Sequence, residues 1–353
     1  MSDVLVEVAG RAGRITLNRP KALNALSLAM IRTLTEVLLQ WQHDERIEVV
    51  AIRGMGKEGP FGAFCAGGDI RFFHQAALAG DPQLEDFFTE EYTLNHLVHH
   101  YRKPYVAFMD GVVMGGGMGI SQGARCRIVT ERTKMAMPET NIGLFPDVGG
   151  GYFLSRCPGR LGEYLALTGH VIAGADAVDA RLADVLLPAG ELGSLWDRLA
   201  EEGAAAVPVP QRVDGSVLAG QREQIDRFFA LPSVREIIAA LEAEGGGWAA
   251  DTAAVLRKRS PLMLHVVLEQ VRRARGMGLA DDLRMERDLV RHCFHLRPGA
   301  ASETVEGIRA LAVDKDHAPR WNPSRIEDVT PEMVAPFFRS PWPAHAHPLR
   351  HLD

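Results

Sequence analysis

Up to Pro158 the chain alternates short β-branched runs with helical stretches, and beyond it the periodicity is almost wholly helical. Strands separated by helices pair in parallel, with each crossover helix covering a sheet face, so the first part is expected to be α/β. Residues 4–9 and 14–17 flank Gly10 and Gly13 and read as a hairpin. Leu28, Ile31, Leu34, Leu38 and Trp41 fall at helical spacing and predict a helix over 28–43. Residues 49–54, 104–109 and 127–130 read as buried strands, with a helix over 82–101 between the first two.

Helical patterns follow at 217–229, 233–244, 261–275 and 279–296. A single core stops growing before about 300 residues, so a chain of 353 is expected to carry a second part. The stretch 188–210, rich in Ala, Gly and Pro, predicts a hinge or mobile connection. We therefore divide the chain into 1–200 and 201–353. The tail holds His345 and His347 among prolines. Alternating imidazoles can bind metal, but a frayed terminus is the plainer expectation, and no metal is assigned.

A formal charge of -6 and a pI near 6.1 offer no basic field for nucleic acid. Cys65, Cys126, Cys157 and Cys293 lack CxxC spacing, so neither disulfides nor a thiolate metal site is expected. No window reaches the ~18 apolar residues of a membrane helix, and the first residues carry no export or import signal. The expectation is a cytoplasmic protein without membrane or nucleic-acid partners.

Two glycine clusters follow strand-like runs. In Phe64-Cys65-Ala66-Gly67-Gly68-Asp69-Ile70 small residues let backbone amides approach a ligand, although a tight turn capped by Asp69 fits the segment equally well. In Gly115-Gly116-Gly117-Met118-Gly119-Ile120 a dinucleotide loop is disfavoured, because Ile120 stands where the last glycine of G-x-G-x-x-G belongs. Glycines opening a helix expose N–H groups at the positive end of its dipole, where negative charge can build up. Close helix-on-strand packing is the alternative.

Between Pro138 and Gly151 the carboxylates Glu139 and Asp147 sit eight residues apart in a loop with little other charge. Apolar surroundings raise a carboxyl pKa toward the range useful for acid–base work. A structural reading has Glu139 capping a turn and Asp147 starting a helix. Cys65 has no histidine placed to activate it, and His96, His99 and His100 read as a surface group.

Taken in order, ITLNRPKALNAL (15–26), FCAGGDI (64–70), GVVMGGGMGIS (111–121) and MPETNIGLFPDVGGGYFLSRCPG (137–159) resemble the enoyl-CoA hydratase/isomerase, or crotonase, family. The resemblance implies a crotonase-like β-β-α spiral core in 1–200, with a helical C-terminal region, 201–353, closing the active site. It implies an acyl-CoA substrate, no cofactor beyond the coenzyme A of that substrate, and a homo-oligomer, trimers being common in the family. It assigns the oxyanion hole to Gly68 and Gly116.

Hydratases of the family place a second glutamate where this chain has Gly119. Simple hydration of an enoyl-CoA is therefore disfavoured, while an isomerase stays open, as does an inactive acyl-CoA-binding protein. The likeness is sharper to the 3-hydroxyisobutyryl-CoA hydrolase branch, through FFTEEYTLN (87–95), PETNIGLFPDVGGGYFLSR (138–156) and IRALAVDKD (308–316). That branch implies thioester hydrolysis with Glu139 and Asp147 as catalytic residues and Glu91 in substrate binding. The segment 303–307, ETVEG, departs from the Asp-Phe pair usual before Glu-Gly there, which puts the packing of the terminal segment in question.

Overall fold

The computed structural model describes residues 2–210 and 212–353. Two compact units emerge, neither of them a continuous stretch, whereas the sequence led us to expect one break near residue 200. The first comprises 1–68, 90–136 and 171–220, the second 69–89, 137–170 and 221–353.

The first unit carries the strands β1 (Val4–Ala9), β2 (Ala12–Leu17), β3 (Val49–Gly56), β4 (Gly59–Pro60), β5 (Tyr105–Met109), β6 (Val112–Met114), β7 (Cys126–Val129), β8 (Lys134–Ala136) and β9 (Val185–Leu186). The main sheet runs β1-β2-β3-β5-β7-β9, with β4 on β3, and β6 pairs with β8 in a small second sheet. β1 and β2 form the expected antiparallel hairpin. From β2 to β9 the pairing is parallel, with Ile15 opposite Ile52, Val50 opposite Tyr105, and Phe108 opposite Ile128. Parallel strands are buried on both faces, which is why they read as unbroken apolar runs.

The helix Leu28–Trp41 starts where the Ser27 side chain accepts from the Met30 amide and turns Leu28, Ile31, Leu34, Leu38 and Trp41 inward, as their spacing predicts. The expected hinge at 188–210 is instead structured. It holds the helix Leu192–Glu202, whose Leu192, Leu195, Trp196 and Leu199 pack on Val49, Val106, Phe108 and Ile128 of the sheet. Their i, i+3, i+4, i+7 spacing is a helical stripe that the surrounding Ala, Gly and Pro obscured.

The second unit is helical. The patterns read from the sequence appear as Val217–Phe229, which crosses the unit boundary, and as Val234–Glu244, Pro261–Ala274 and Leu279–His295, joined by an unforeseen Gly247–Leu256. Ser260 caps the second of these three by accepting from Met263, with Pro261 at the first helical position. Phe73, Phe87 and Phe88 pack with ring centroids 4.7 to 5.5 Å apart.

The C-terminal tail is docked rather than frayed. Arg284 donates to the carbonyls of Leu349 (3.2 Å) and Leu352, and Arg287 lies over the Trp342 ring at 4.9 Å. His347 is buried, its Nδ1 accepts from the Leu349 amide, and its Nε2 lies 3.3 Å from Asp288. A tail dense in proline loses little entropy on docking, and Leu349 and Leu352 supply the apolar burial. Among the described residues no helix is long and apolar enough to cross a membrane, and no cluster of three His, Cys, Asp or Glu is placed to hold a metal.

Candidate active site

In the first unit the two glycine loops meet. Buried Asn24, with φ of 57°, accepts from the Arg19 amide and donates to the carbonyls of Met55 and Ala63 at 3.0 Å, fixing the turn that leads to Leu26. The loop 64–68 is then strapped on both sides. Leu26 N–H donates to Gly67 and Ala66 N–H to Leu23 on one side, while Cys65 N–H donates to Val112 and Met114 N–H to Cys65 on the other. Gly67 has φ of 112°, and a Cβ built there would stand 3.7 Å from the Gly116 nitrogen. Gly68 and Gly116 therefore belong to adjacent turns.

Gly116 opens the helix Gly116–Gln122. The Met118 amide bonds to Gly115, so Gly116 and Gly117 occupy the first turn, where N–H groups lack an intrahelical acceptor. Gly117 is pressed against β-structure, since a Cβ there would meet the Cys65 carbonyl at 2.4 Å. Beside Gly116 stands Glu91, only 2% exposed, with Oε1 2.6 Å from where a Gly116 Cβ would be. Glu91 thus lies against Gly116, while its neighbour Glu90 pairs with Arg32 at the surface.

Cys65 shares this region but is no nucleophile in waiting, because burial pushes its thiol up to about 12. His99 and His100 are exposed, and the His100 ring stacks on His96 at 4.2 Å between centroids.

In the second unit Glu139 and Asp147 come together. Glu139 opens the 3-10 turn Glu139–Ile142, closed by Gly143 at φ of 64°. Thr140 donates to the Leu167 carbonyl and Thr304 to that of Gly143, so the turn is held from two directions. Glu139 is 7% and Asp147 6% exposed. Oε2 of Glu139 has no hydrogen-bond partner among the described residues. Burial above all, and then the charge of Asp147, hold a proton on Glu139 well above the usual carboxyl range. A carboxylate so placed can serve as base or nucleophile near neutral pH.

Asp147 is followed by Val148 at φ of 58° and Gly149 at 86°. A β-branched residue rarely adopts this conformation, at a cost of ~1–3 kcal/mol, and it persists only where the surroundings enforce it. The enforcing groups were not foreseen from sequence. They are Asp282 and Glu286, both fully buried on Leu279–His295. Glu286 accepts from the amides of Gly149 (2.7 Å) and Gly151 (2.9 Å), and Asp282 from that of Tyr152 (2.8 Å). Their only sequence signal is i, i+4 spacing on the apolar face of a helix.

Parallel strands, paired glycine turns and a buried carboxylate loop define a crotonase fold, and the chain belongs to the enoyl-CoA hydratase/isomerase family, whose profile matches residues 12–338. Over 352 residues it is 41% identical to 3-hydroxyisobutyryl-CoA hydrolase, mitochondrial, of Danio rerio, covering 96% of this chain and 90% of that one. The Homo sapiens protein of the same name is 39% identical over 351 residues, with 96% and 89% covered. Among solved structures, an enoyl-CoA hydratase from Rhodobacter sphaeroides 2.4.1 superposes with a TM-score of 0.89 at 39% identity, covering 96% of this chain and 98% of that one. A carnitinyl-CoA dehydratase from Mycobacterium thermoresistibile gives 0.87 at 40%, with 96% and 97% covered.

Proposed function

We propose that the protein hydrolyses the thioester of 3-hydroxyisobutyryl-CoA, or of a related short 3-hydroxyacyl-CoA, to the free acid and CoA, as in valine breakdown. The observation that carries this reading is the identity of about 40% over nearly the whole chain to hydrolases of that name. The buried, proton-retaining Glu139 supports it chemically.

In the proposed reaction the amides of Gly68 and Gly116 donate to the thioester oxygen as it becomes an oxyanion. Glu139 acts in one of two ways. As nucleophile its carboxylate oxygen bonds to the acyl carbon, CoA leaves as thiolate, and water opens the mixed anhydride. As base it takes a proton from water, whose oxygen then attacks the same carbon, and collapse of the tetrahedral oxyanion breaks the C–S bond and releases CoA as thiolate. Asp147 binds the 3-hydroxyl or passes a proton to the departing thiolate, and Glu91 helps seat the acyl group. The coenzyme A enters and leaves with the substrate, and no other cofactor is needed. A cytoplasmic homo-oligomer, a trimer by family habit, completes the proposal, with cell fractionation and sedimentation as its tests.

Hydration is the second reading, because the two superposable structures are a hydratase and a dehydratase. Against it stands Gly119, buried in the helix Gly116–Gln122 where hydratases carry their second glutamate. Offering 3-hydroxyisobutyryl-CoA and crotonyl-CoA in parallel, while following free thiol and the enoyl chromophore, decides between them. Thiol release from the first substrate is expected. Rapid loss of the enoyl signal without thiol would replace hydrolase by hydratase, and binding of both without turnover would leave an acyl-CoA-binding protein.

A further inference from the structure

We propose that Glu286 is a positioning residue for Asp147, holding the strained segment Val148–Tyr152 through its backbone amides so that the Asp147 carboxylate stays where the reaction needs it. The inference rests on the hydrolase reading and adds to it a residue outside the catalytic loop.

The geometry is specific to a carboxylate. Oε2 of Glu286 takes the Gly149 N–H at 2.7 Å and Oε1 takes the Gly151 N–H at 2.9 Å. Gln270 Nε2 donates to Oε1 at 3.1 Å and to the Pro146 carbonyl at 2.7 Å, so Pro146, on the other side of Asp147, is linked to the same carboxylate through Gln270. Asp282 takes the next amide, that of Tyr152, and a Cβ on Gly151 would strike its Oδ1 at 2.4 Å. The amide of Gly149 follows directly on Val148, whose left-handed backbone needs such an anchor.

Two carboxyl groups buried together are an expensive way to hold a turn unless they share a proton. Burial, followed by the charge of Asp282, raises Glu286 well above the usual range, while burial lifts Asp282 to about 7 despite its hydrogen bond to Glu286. The charge of Asp147 also reaches Glu286. Burial thus favours keeping a proton on the pair, while its acceptor oxygens face the amides of Gly149, Gly151 and Tyr152.

Replacing Glu286 by Gln leaves one acceptor oxygen where two amides need one each, whereas Asn at 282 can still accept from Tyr152. The decisive experiment is a double-mutant cycle in thiol release from 3-hydroxyisobutyryl-CoA, using Glu286→Gln, Asp147→Asn and both together. Hydrogen exchange of the peptide spanning 146–152 is followed alongside. Expected for Glu286→Gln are a fall in kcat of at least ~10-fold, KM within about threefold, and faster exchange of that peptide. In the Asp147→Asn background the same change should cost almost nothing. An equal penalty in both backgrounds, or unchanged exchange, overturns the inference. If Glu286→Gln folds poorly, Gln270→Ala, which cuts the Pro146 tie, must show the same dependence on Asp147 or the inference fails. Should the wild type release no thiol, the hydrolase reading falls, and exchange at 146–152 still decides whether Glu286 holds the segment.

Discussion

The charge of Asp147 reaches Glu139 and adds to burial in keeping a proton on that carboxyl. Glu139 must lose this proton to act as base or nucleophile, so the acidic limb of the kcat/KM profile should report the raised titration of Glu139. Removing the neighbouring charge makes ionisation easier. Asp147→Asn should therefore move the acidic limb to lower pH while lowering the maximal rate. A pH–rate profile of the variant checks this, and a limb that stays put or moves upward contradicts the pairing.

The glycine loops separate function from packing. A Cβ on Gly117 collides with the Cys65 backbone, whereas one on Gly116 meets first the carboxylate tip of Glu91 and then Leu26. Gly117→Ala should lower the melting temperature markedly. Gly116→Ala should fold but release thiol at least ~10-fold more slowly, approaching the ~3 kcal/mol penalty for losing an oxyanion donor if its amide is displaced. Gly68→Pro, which deletes the N–H outright, should be at least as slow. Melting curves and thiol assays on the three variants test the distinction.

The parts legible in the sequence are those set by local pattern. The stripe of Leu28–Trp41, the runs of β3, β5 and β7, and the glycine turns all express themselves within a dozen residues. What escaped needed a partner distant in the chain. Glu91 is singled out by the family resemblance alone, because nothing local tells it from Glu90, yet one turns inward beside Gly116 and the other meets Arg32 at the surface. Asp282 and Glu286 look like solvated helix charges until the amides of 149–152, 130 to 137 residues away, are placed against them. The stretch 188–210 has the composition of a hinge, while the spacing of Leu192, Leu195, Trp196 and Leu199 within it is that of a helix packed on the sheet.

The docked tail is a stability element. Leu349 is fully buried and its carbonyl is bonded by Arg284. Leu349→Ala should cost about 2–5 kcal/mol, the range for truncating a buried leucine. A denaturant titration should show a lower midpoint with an unchanged slope. An unaltered midpoint would mean that the tail contributes nothing in solution.

Gly119→Glu restores the residue type that hydratases carry, but a carboxylate also has to be oriented with Glu139 around a single water. The helix Gly116–Gln122 is buried at this position, so a glutamate enters at the expense of packing. The variant should not hydrate crotonyl-CoA at a rate comparable to its parent's thiol release. Robust hydration by this one change would shift the natural function toward the hydratases.

Glu139→Gln should separate activity from stability. The amide keeps size and hydrogen bonding but can neither accept the proton of water nor attack a thioester, so the rate of thiol release should fall at least ~10²-fold with substrate binding little changed. Stability should move the other way. Because the folded-state pKa of Glu139 is raised, folded and unfolded chains both hold the proton at low pH and no penalty arises. As pH climbs above the ordinary carboxyl value the unfolded chain ionises first. The wild type then loses stability until the folded carboxyl ionises too. Gln escapes this loss, so the melting temperature of Glu139→Gln relative to wild type should be higher at about pH 8 than at about pH 4. Parallel melting curves at the two pH values, with thiol assays on the same preparations, measure both effects. Near-native thiol release would remove Glu139 from the chemistry, and a stability difference independent of pH would mean that its carboxyl is not held protonated by burial.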